Sequence, residues 1–405
     1  MKSTPRLSNK QMYLYTITIF LAAINMRPAI TSVAPLLETI RGELGMNSSA
    51  VSFLTAIPVL CMGIFAPFAA KLGRRWGIER VIPVCLLLVG IATVARIFTN
   101  SSFLLLMTAG LIGVGVAIAG PLISGFIKLH FHHMVATMIG IYSIGMGLGA
   151  SLGAGLTIPF QHLLKDSWPS ALAIWSILAV VALLFWVLVL SQSQKGNAKQ
   201  NAVSEGNIPL KNKRAWMLLI FFALQAGVYY SIATWLAPKA QELGLQDTTA
   251  GAVVTTFTLL QMCFSLVIPA MANRTTNRKP WLIGCSVILL IGLCIIIFSQ
   301  IEAMIWFSAA IMGIGSAGLF SFALILPLDE TKNPQEATAW TAMVQSGGYL
   351  LGGLLPIFSG WLRDIFGHYH YSFFGIILLS VVMLLVTIMM GAKHPNVESE
   401  PRLDR

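Results

Sequence analysis

Long apolar stretches recur along almost the whole chain. A bilayer-spanning helix needs about 20 predominantly apolar residues, and in lipid only helices and closed barrels satisfy all their backbone hydrogen bonds. Only 10% of the residues are charged, against roughly 25% in an average soluble domain. The fold class predicted is therefore an all-α integral membrane protein. The predicted spans are twelve: 12–35, 50–70, 80–98, 103–127, 135–159, 169–190, 215–237, 250–271, 280–299, 303–326, 337–359 and 371–391.

The basic residues between the spans predict that both termini lie in the cytoplasm. With the N-terminus inside, most Lys and Arg residues fall in cytoplasmic segments, which is where short loops collect them. The outer loops then hold only Arg41, Lys165, Lys239 and Arg363. This distribution accounts for the net charge of +11, so no nucleic acid is expected as a partner. The spans and this charge distribution together predict a multi-pass membrane protein.

A polar segment, 191–214, divides the chain into two parts. It is rich in Gln, Asn, Lys and Ser, a composition typical of a flexible linker. The predicted domains are an N-terminal six-helix half at 1–190 and a C-terminal six-helix half at 215–405, which ends in a short cytoplasmic tail. The halves repeat a motif, because Ala34-Pro35 follows span one and Ala237-Pro238 follows span seven. Repeated halves are typical of transporters that rock around a site at the bilayer midplane.

The cytoplasmic loop after span two has the sequence KLGRRWGIER, from Lys71 to Arg80. With twelve spans in two halves, it resembles a degenerate form of the signature that the major facilitator superfamily carries between its second and third helices. The usual Asp is missing, since Ala70 or Arg74 takes its place. The resemblance implies a gating role for this loop, with the candidate residues Arg74, Arg75, Gly77, Glu79 and Arg80.

Other stretches resemble a narrower group, the cyanate permease and 2-nitroimidazole transporter family. They include Arg27 with the following TSVAPLL, Trp235 with LAP, and Gln345 with SGGYLL. The resemblance covers nearly the full length. It implies a secondary active or facilitative transporter of the bacterial cytoplasmic membrane that moves a small polar or anionic solute by alternating access. Such a transporter is expected to function as a monomer, with no enzymatic activity and no cofactor.

Arg27 lies in the middle of span one. All 15 acidic residues and all 7 histidines can be placed in loops or at span ends, so the spans offer Arg27 no counter-charge. A guanidinium at such depth costs at least about 2.5–3.5 kcal/mol. Either it binds an anionic group of the substrate bidentately, or it is satisfied by backbone carbonyls freed beside Pro28. Arg96, near the outer end of span three, is expected to extend toward the lipid headgroups.

Two Gln/Tyr pairs lie near the middle of spans seven and eleven. Gln225 and Tyr229, and likewise Gln345 and Tyr349, are four residues apart and share a helix face. A polar face toward lipid would be unsatisfied, so these faces point to a cavity or to a neighbouring helix. Tyr230 ranks behind Tyr229. The predicted substrate-binding residues are Arg27, Asn25, Tyr142, Gln225, Tyr229, Gln261, Gln345 and Tyr349.

Metal and nucleotide chemistry are not predicted. The cluster of His130, His132 and His133 has no Cys or Asp nearby, and no phosphate-binding loop is present. One alternative is a multidrug-type efflux carrier, which would have a broad apolar cavity and a structural Arg27. An alternative of another class is a membrane sensor or receptor without transport, for which a large soluble domain or an extended tail would be expected.

Overall fold

The computed structural model describes residues 9–99, 101–131, 134–193, 208–272, 274–275, 277–331 and 334–390. Most of the predicted linker, the predicted tail, His132 and His133 lie outside these ranges. The described helices are α1 (Asn9–Met26), α2 (Pro28–Thr31), α3 (Leu37–Glu43), α4 (Ser48–Trp76), α5 (Ile78–Ala95), α6 (Ser102–His130), α7 (Val135–Leu163), α8 (Trp168–Ala173), α9 (Ser176–Ser193), α10 (Lys213–Glu242), α11 (Asp247–Ala272), α12 (Lys279–Phe298), α13 (Glu302–Asp329), α14 (Pro334–Gly352), α15 (Leu355–Phe366) and α16 (Tyr369–Met389).

The twelve predicted spans correspond to this series of helices. Within the described ranges, eleven helical segments are long and apolar enough to cross a membrane. Span eleven is built from two shorter helices, α14 and α15, which are separated just before Pro356. Most helices extend beyond the predicted spans; the 29 residues of α7 reach about 43 Å at 1.5 Å per residue. The apolar run marks only the hydrocarbon core, whereas the helix continues into the headgroup region.

The helices form two halves, α1–α9 and α10–α16. In the N-terminal half α4 packs on α6, and α7 on α1; in the C-terminal half α11 packs on α13, and α10 on α14. The halves meet where α7 packs on α11, and where α4 packs on α14 and α15. We call the end of the bundle that contains Asn9 and Met389 the terminal face. The opposite end, which contains the starts of α4 and α11, is the distal face.

The first membrane helix is interrupted at Arg27. Proline at position 28 has no N–H to donate to the carbonyl of Ile24, and its ring clashes with that carbonyl in a continuous helix. Accordingly α1 ends at Met26, and Pro28 takes the first position of α2, where a missing N–H costs nothing. The carbonyl of Arg27 accepts from Ile30 N and Thr31 N, both at 3.0 Å. The break thus places the Arg27 side chain between two helical segments.

Glycines on α7 seat this interrupted helix. Gly145, Gly149 and Gly153 recur every four residues and therefore line one face of α7. A Cβ added at Gly149 would lie 2.4 Å from the Ile24 carbonyl oxygen, and one at Gly153 would lie 2.4 Å from the Thr31 hydroxyl. Small residues allow the close backbone approach on which helix packing in membranes depends. The shape of the first membrane helix is therefore matched by α7.

Gly149→Ala tests this packing. We expect the variant to unfold at a lower temperature in detergent, because its methyl group meets the Ile24 carbonyl. The expected loss in the free energy of unfolding is about 1–3 kcal/mol. The matched control is Gly140→Ala on the same helix, where an added Cβ has no neighbour within 4 Å. Alanine favours a helix over glycine, so the control should be neutral or more stable. Equal melting temperatures for the two variants would contradict the packing described.

Candidate functional site

Arg27 lies between the two halves near mid-depth and is only partly buried. Its Nη1 donates to the phenol oxygen of Tyr230 on α10, at the long distance of 3.5 Å. Among the described residues this is the one hydrogen bond of the guanidinium. None of the described backbone carbonyls accepts from it. In this structure the guanidinium therefore retains most of its capacity for hydrogen bonding.

Four tyrosines from both halves surround Arg27. Tyr142 on α7 comes from the N-terminal half, whereas Tyr229 and Tyr230 on α10 and Tyr349 on α14 come from the C-terminal half. The phenols of Tyr229, Tyr230 and Tyr349 are within electrostatic range of the guanidinium, as is that of Tyr142. These side chains therefore face one another across the boundary between the halves. Tyr142, Tyr229 and Tyr349 are partly exposed, whereas Tyr230 is buried.

Aromatic contacts hold the C-terminal tyrosines in place. The Tyr229 ring lies edge-on to Tyr230, with centroids 5.1 Å apart, and stacks on Phe257 of α11 at 5.6 Å. The Tyr349 ring lies edge-on to Phe222 at 5.0 Å. Such pairs contribute about 0.5–1.5 kcal/mol beyond burial. The phenols are thus presented to Arg27 by a packed aromatic layer and not by flexible side chains.

The amide candidates divide into two groups. Asn25 and Gln225 are buried, and their atoms Nδ2 and Oε1 have no hydrogen-bond partner among the described residues. Gln261 and Gln345 remain partly exposed. The structure thus brings Tyr142, Tyr229 and Tyr349 together with Arg27, and it adds Tyr230, which the sequence analysis ranked behind Tyr229. Helix periodicity alone does not reveal that Tyr230 faces Arg27, because adjacent residues point in directions about 100° apart.

Arg96 is buried, and the expectation that it extends toward the headgroups is wrong. Only 1% of the residue is exposed. Its Nη1 donates to the carbonyl of Ala29 at 2.9 Å, and its Nε donates to the hydroxyl of Thr108 at 3.3 Å. Ala29 belongs to the short helix that follows the break in the first span. Arg96 therefore supports that helix from within the N-terminal half.

The candidate gating loop connects α4 to α5 at the terminal face. Gly77 has φ +85°, a conformation that favours glycine, so a turn accounts for its presence. Glu79 interacts with His130 of α6, with Oε1 and Nε2 3.0 Å apart, which joins two helices of the same half. Arg75 lies over the Trp76 ring at 5.6 Å. Arg74, Arg75 and Arg80 are exposed. The gating role of these residues remains a prediction.

Hydrogen bonds join the two halves from the site to the distal face. Thr234 of α10 donates to Thr55 of α4 at 2.9 Å, and the hydroxyls of Ser151 and Thr258 are 3.1 Å apart. At the distal face, Gln241 donates to the Pro35 carbonyl at 3.4 Å. Further contacts there join Glu38 to Tyr369 and Asp364 to Ser48 and Ser49.

Burial changes along the helices that line the boundary. In the distal part of α11, between Ala250 and Thr258, buried residues recur along one face, whereas every residue from Gln261 to Val267 retains some exposure. In α10, all residues from Ser231 to Ala240 except Ala233 are buried. The halves therefore close at the distal face, and the space beside Arg27 is accessible from the terminal face.

These features define a class of protein: a multi-pass helical membrane protein with two six-helix halves and a central polar site. The sequence profile of the Major Facilitator Superfamily matches residues 17–244 and 236–404. The chain belongs to this superfamily.

Two curated relatives narrow the comparison. The cyanate transport protein CynX of Escherichia coli (strain K12) is 32% identical over 376 residues, which cover 92% of this chain and 96% of the relative. The 2-nitroimidazole transporter of the same organism is 27% identical and covers 96% of this chain and 98% of its own length. These comparisons confirm the predicted resemblance. The chain is a membrane transporter of small solutes and not an enzyme.

Solved structures support the fold. The nucleoside transporter NupG aligns with a TM-score of 0.78 at 14% identity and covers 93% of this chain and 99% of its own. At such low identity the likeness concerns the fold alone. The prediction of an all-α membrane protein with twelve spans in two halves is thereby confirmed.

The contrast between the two arginines within the membrane predicts opposite effects on stability. Arg96→Met should lower the melting temperature by several degrees, because it removes a buried charge-assisted hydrogen bond to a backbone carbonyl. Arg27→Met should leave the melting temperature unchanged or raise it, because the guanidinium makes one long hydrogen bond and has no counter-charge among the described residues. Thermal unfolding of the two purified variants measures this difference. A large loss of stability in Arg27→Met would show that Arg27 is structural.

Proposed function

We propose that this transporter carries a small anion and that Arg27 binds the negative charge of that anion. The observation that carries the proposal is the free hydrogen-bonding capacity of a guanidinium at mid-depth. A buried cation is costly unless an opposite charge or hydrogen-bond acceptors compensate for it. The described helices provide Arg27 with one phenol acceptor at 3.5 Å and no negative charge. The substrate is therefore the remaining source of a negative charge.

The tyrosines add hydrogen-bond donors to the site. Phenol hydroxyls donate as well as accept, so Tyr142, Tyr230 and Tyr349 can donate to an anion that is bound by Arg27. Guanidinium binds planar anions through two parallel N–H donors. The names of the relatives state cyanate and 2-nitroimidazole; the first is small and linear, and the second is small and planar.

The site also supports a mechanism of alternating access. Arg27 and Tyr142 belong to one half, and the remaining tyrosines belong to the other, so a bound solute contacts both halves. Closure at the distal face leaves the site accessible from the terminal face, and rocking of the halves reverses this access. A proton relay through carboxylates is not part of the proposal, because no described Asp, Glu or His contacts Arg27. The efflux alternative is less favoured, since one cation and four phenols line the site.

The proposal includes the domain boundaries and the orientation. The halves are residues 1–190 and 215–405, joined by the linker at 191–214, and the chain functions as a monomer in the bacterial cytoplasmic membrane. With both termini in the cytoplasm, the terminal face is the cytoplasmic face. The structure then corresponds to the inward-facing state of the transporter.

Ligand-induced thermal shifts test the role of Arg27. Cyanate, nitrate and small carboxylates are added to purified protein, with 1-methyl-2-nitroimidazole, which has no ring N–H to lose and stays uncharged, as a comparison. A ligand at 100 times its Kd stabilises by about 2.7 kcal/mol, so a bound anion should raise the melting temperature measurably. Loss of the charge partner in Arg27→Gln should weaken binding by roughly thirtyfold or more.

The matched control for this test is Arg274→Gln. Arg274 is exposed at the terminal face, and its loss should leave the shift unchanged. If an anion stabilises Arg27→Gln as strongly as the wild type, Arg27 is not the anchor. If only the uncharged compound stabilises the wild type, the solute is not an anion.

Reporter fusions test the orientation. Alkaline phosphatase, which is active only outside the cytoplasm, should be active when fused after Leu164 in the distal loop. It should be inactive when fused after Ser193, where green fluorescent protein should instead fluoresce. The reverse pattern of the two reporters would place the termini outside.

A further inference from the structure

Asp364 of α15 contacts the start of α4 in the other half. Its Oδ1 accepts from the backbone N–H of Ser48 at 2.7 Å. Its Oδ2 accepts from the backbone N–H of Ser49 at 2.7 Å and from the Ser49 hydroxyl at 2.6 Å. Helix α4 begins at Ser48, so both backbone donors belong to the first turn, where N–H groups have no partner within the helix. A carboxylate at this end also interacts favourably with the helix dipole.

Helix α4 has a second cap that comes from its own half. The Asn47 side chain accepts from the backbone N–H of Ala50 at 2.7 Å. Asparagine is among the preferred N-cap residues, so α4 has a complete local start signal without Asp364. The contribution of Asp364 is thus additional to helix formation. It exists only while the two halves are in contact at the distal face.

The backbone of α15 permits this contact. Gly360 lies one turn before Asp364 on the same helix face, and a Cβ added there would lie 2.7 Å from the carbonyl oxygen of Ser48. This close approach brings the carboxylate within reach of the first turn of α4.

The carboxyl group of Asp364 is charged at neutral pH. Burial raises its pKa, but the hydrogen bonds from Ser49 and Ser48 outweigh burial, and the pKa lies below its ordinary value. A second bond crosses the distal face nearby, where the Tyr369 hydroxyl donates to Glu38. Glu38 is also held by Arg41, whose Nη2 lies 2.6 Å from Oε2.

We propose that Asp364 is a positioning residue of the transport cycle, whose carboxylate stabilises the distal-closed state by capping α4 across the two halves. Opening of the distal face requires this cap to break. The proposal rests on alternating access, but it does not depend on the identity of the solute or on the role of Arg27.

Distances between spin labels test the proposal without any solute. In a background that lacks the 5 native cysteines, one labelled pair is Gly42→Cys with Gln246→Cys at the distal face. The other pair is Lys71→Cys with Arg274→Cys at the terminal face. All four positions are exposed. Double electron–electron resonance then gives the distance distribution for each pair.

The test compares two variants that each remove one cap from α4. Asp364→Ala removes the cap from the other half, and Asn47→Ala removes the cap from the same half. We expect Asp364→Ala to raise the ratio of distal-open to distal-closed protein about tenfold, which corresponds to about 1.4 kcal/mol. The distal distances should lengthen and the terminal distances should shorten. Asn47→Ala should lower the melting temperature while both distributions stay as in the wild type.

Two results would overturn the proposal. One is a pair of distance distributions in Asp364→Ala that match those of the wild type. The other is an equal shift in Asn47→Ala, which would mean that Asp364 acts only on helix stability. Asp364→Asn keeps one acceptor oxygen but not the charge, and it should shift the populations in the same direction by a smaller factor. This variant replaces the alanine variant if the latter does not remain folded.

Discussion

The structure depends on the guanidinium of Arg27, which lies near mid-depth and has no counter-charge among the described residues. Arg27 stands at the break that Pro28 imposes on the first membrane helix. That break is held from two sides, by the glycines of α7 and by the bond from Arg96 to the Ala29 carbonyl. The N-terminal half thus fixes the position of Arg27, while the hydrogen bond from its guanidinium to Tyr230 reaches the other half.

The contacts between the halves have a consistent character. Near the site they are hydroxyl pairs and glycines, such as Thr55 with Thr234, or Gly155 beside Thr255. Such contacts are individually weak in membranes, on average about 0.6 kcal/mol for a hydrogen bond, and two halves joined in this way can separate. At the distal face the carboxylates of Asp364 and Glu38 also cross the boundary. These charge-assisted hydrogen bonds add to the stability of the closed state at the place where the halves must part.

Much of this architecture follows from the sequence, because apolar length and periodicity fix the spans. The candidates Tyr142, Tyr229 and Tyr349 come from three helices and lie within electrostatic range of Arg27, and their role in substrate binding stays a prediction. The burial of Arg96 and the contact made by Asp364 depend on tertiary contacts. The burial of Arg96 depends on where the break in span one lies relative to α5, and the sequence does not specify this. The sequence predicts only that Asp364 lies outside the apolar core of a span, and it gives no sign of the contact with Ser48, which is more than 300 residues away along the chain.

Direct localisation of a bound anion tests the central claim that the substrate provides the negative charge for Arg27. Selenocyanate is a suitable probe, because selenium scatters anomalously and the ion is small, linear and singly charged. In crystals grown with selenocyanate, we expect an anomalous peak between the Arg27 guanidinium and the phenols of Tyr142 and Tyr349, and no peak there in Arg27→Gln. A peak that lies away from Arg27, or one that persists unchanged in the variant, would contradict the claim.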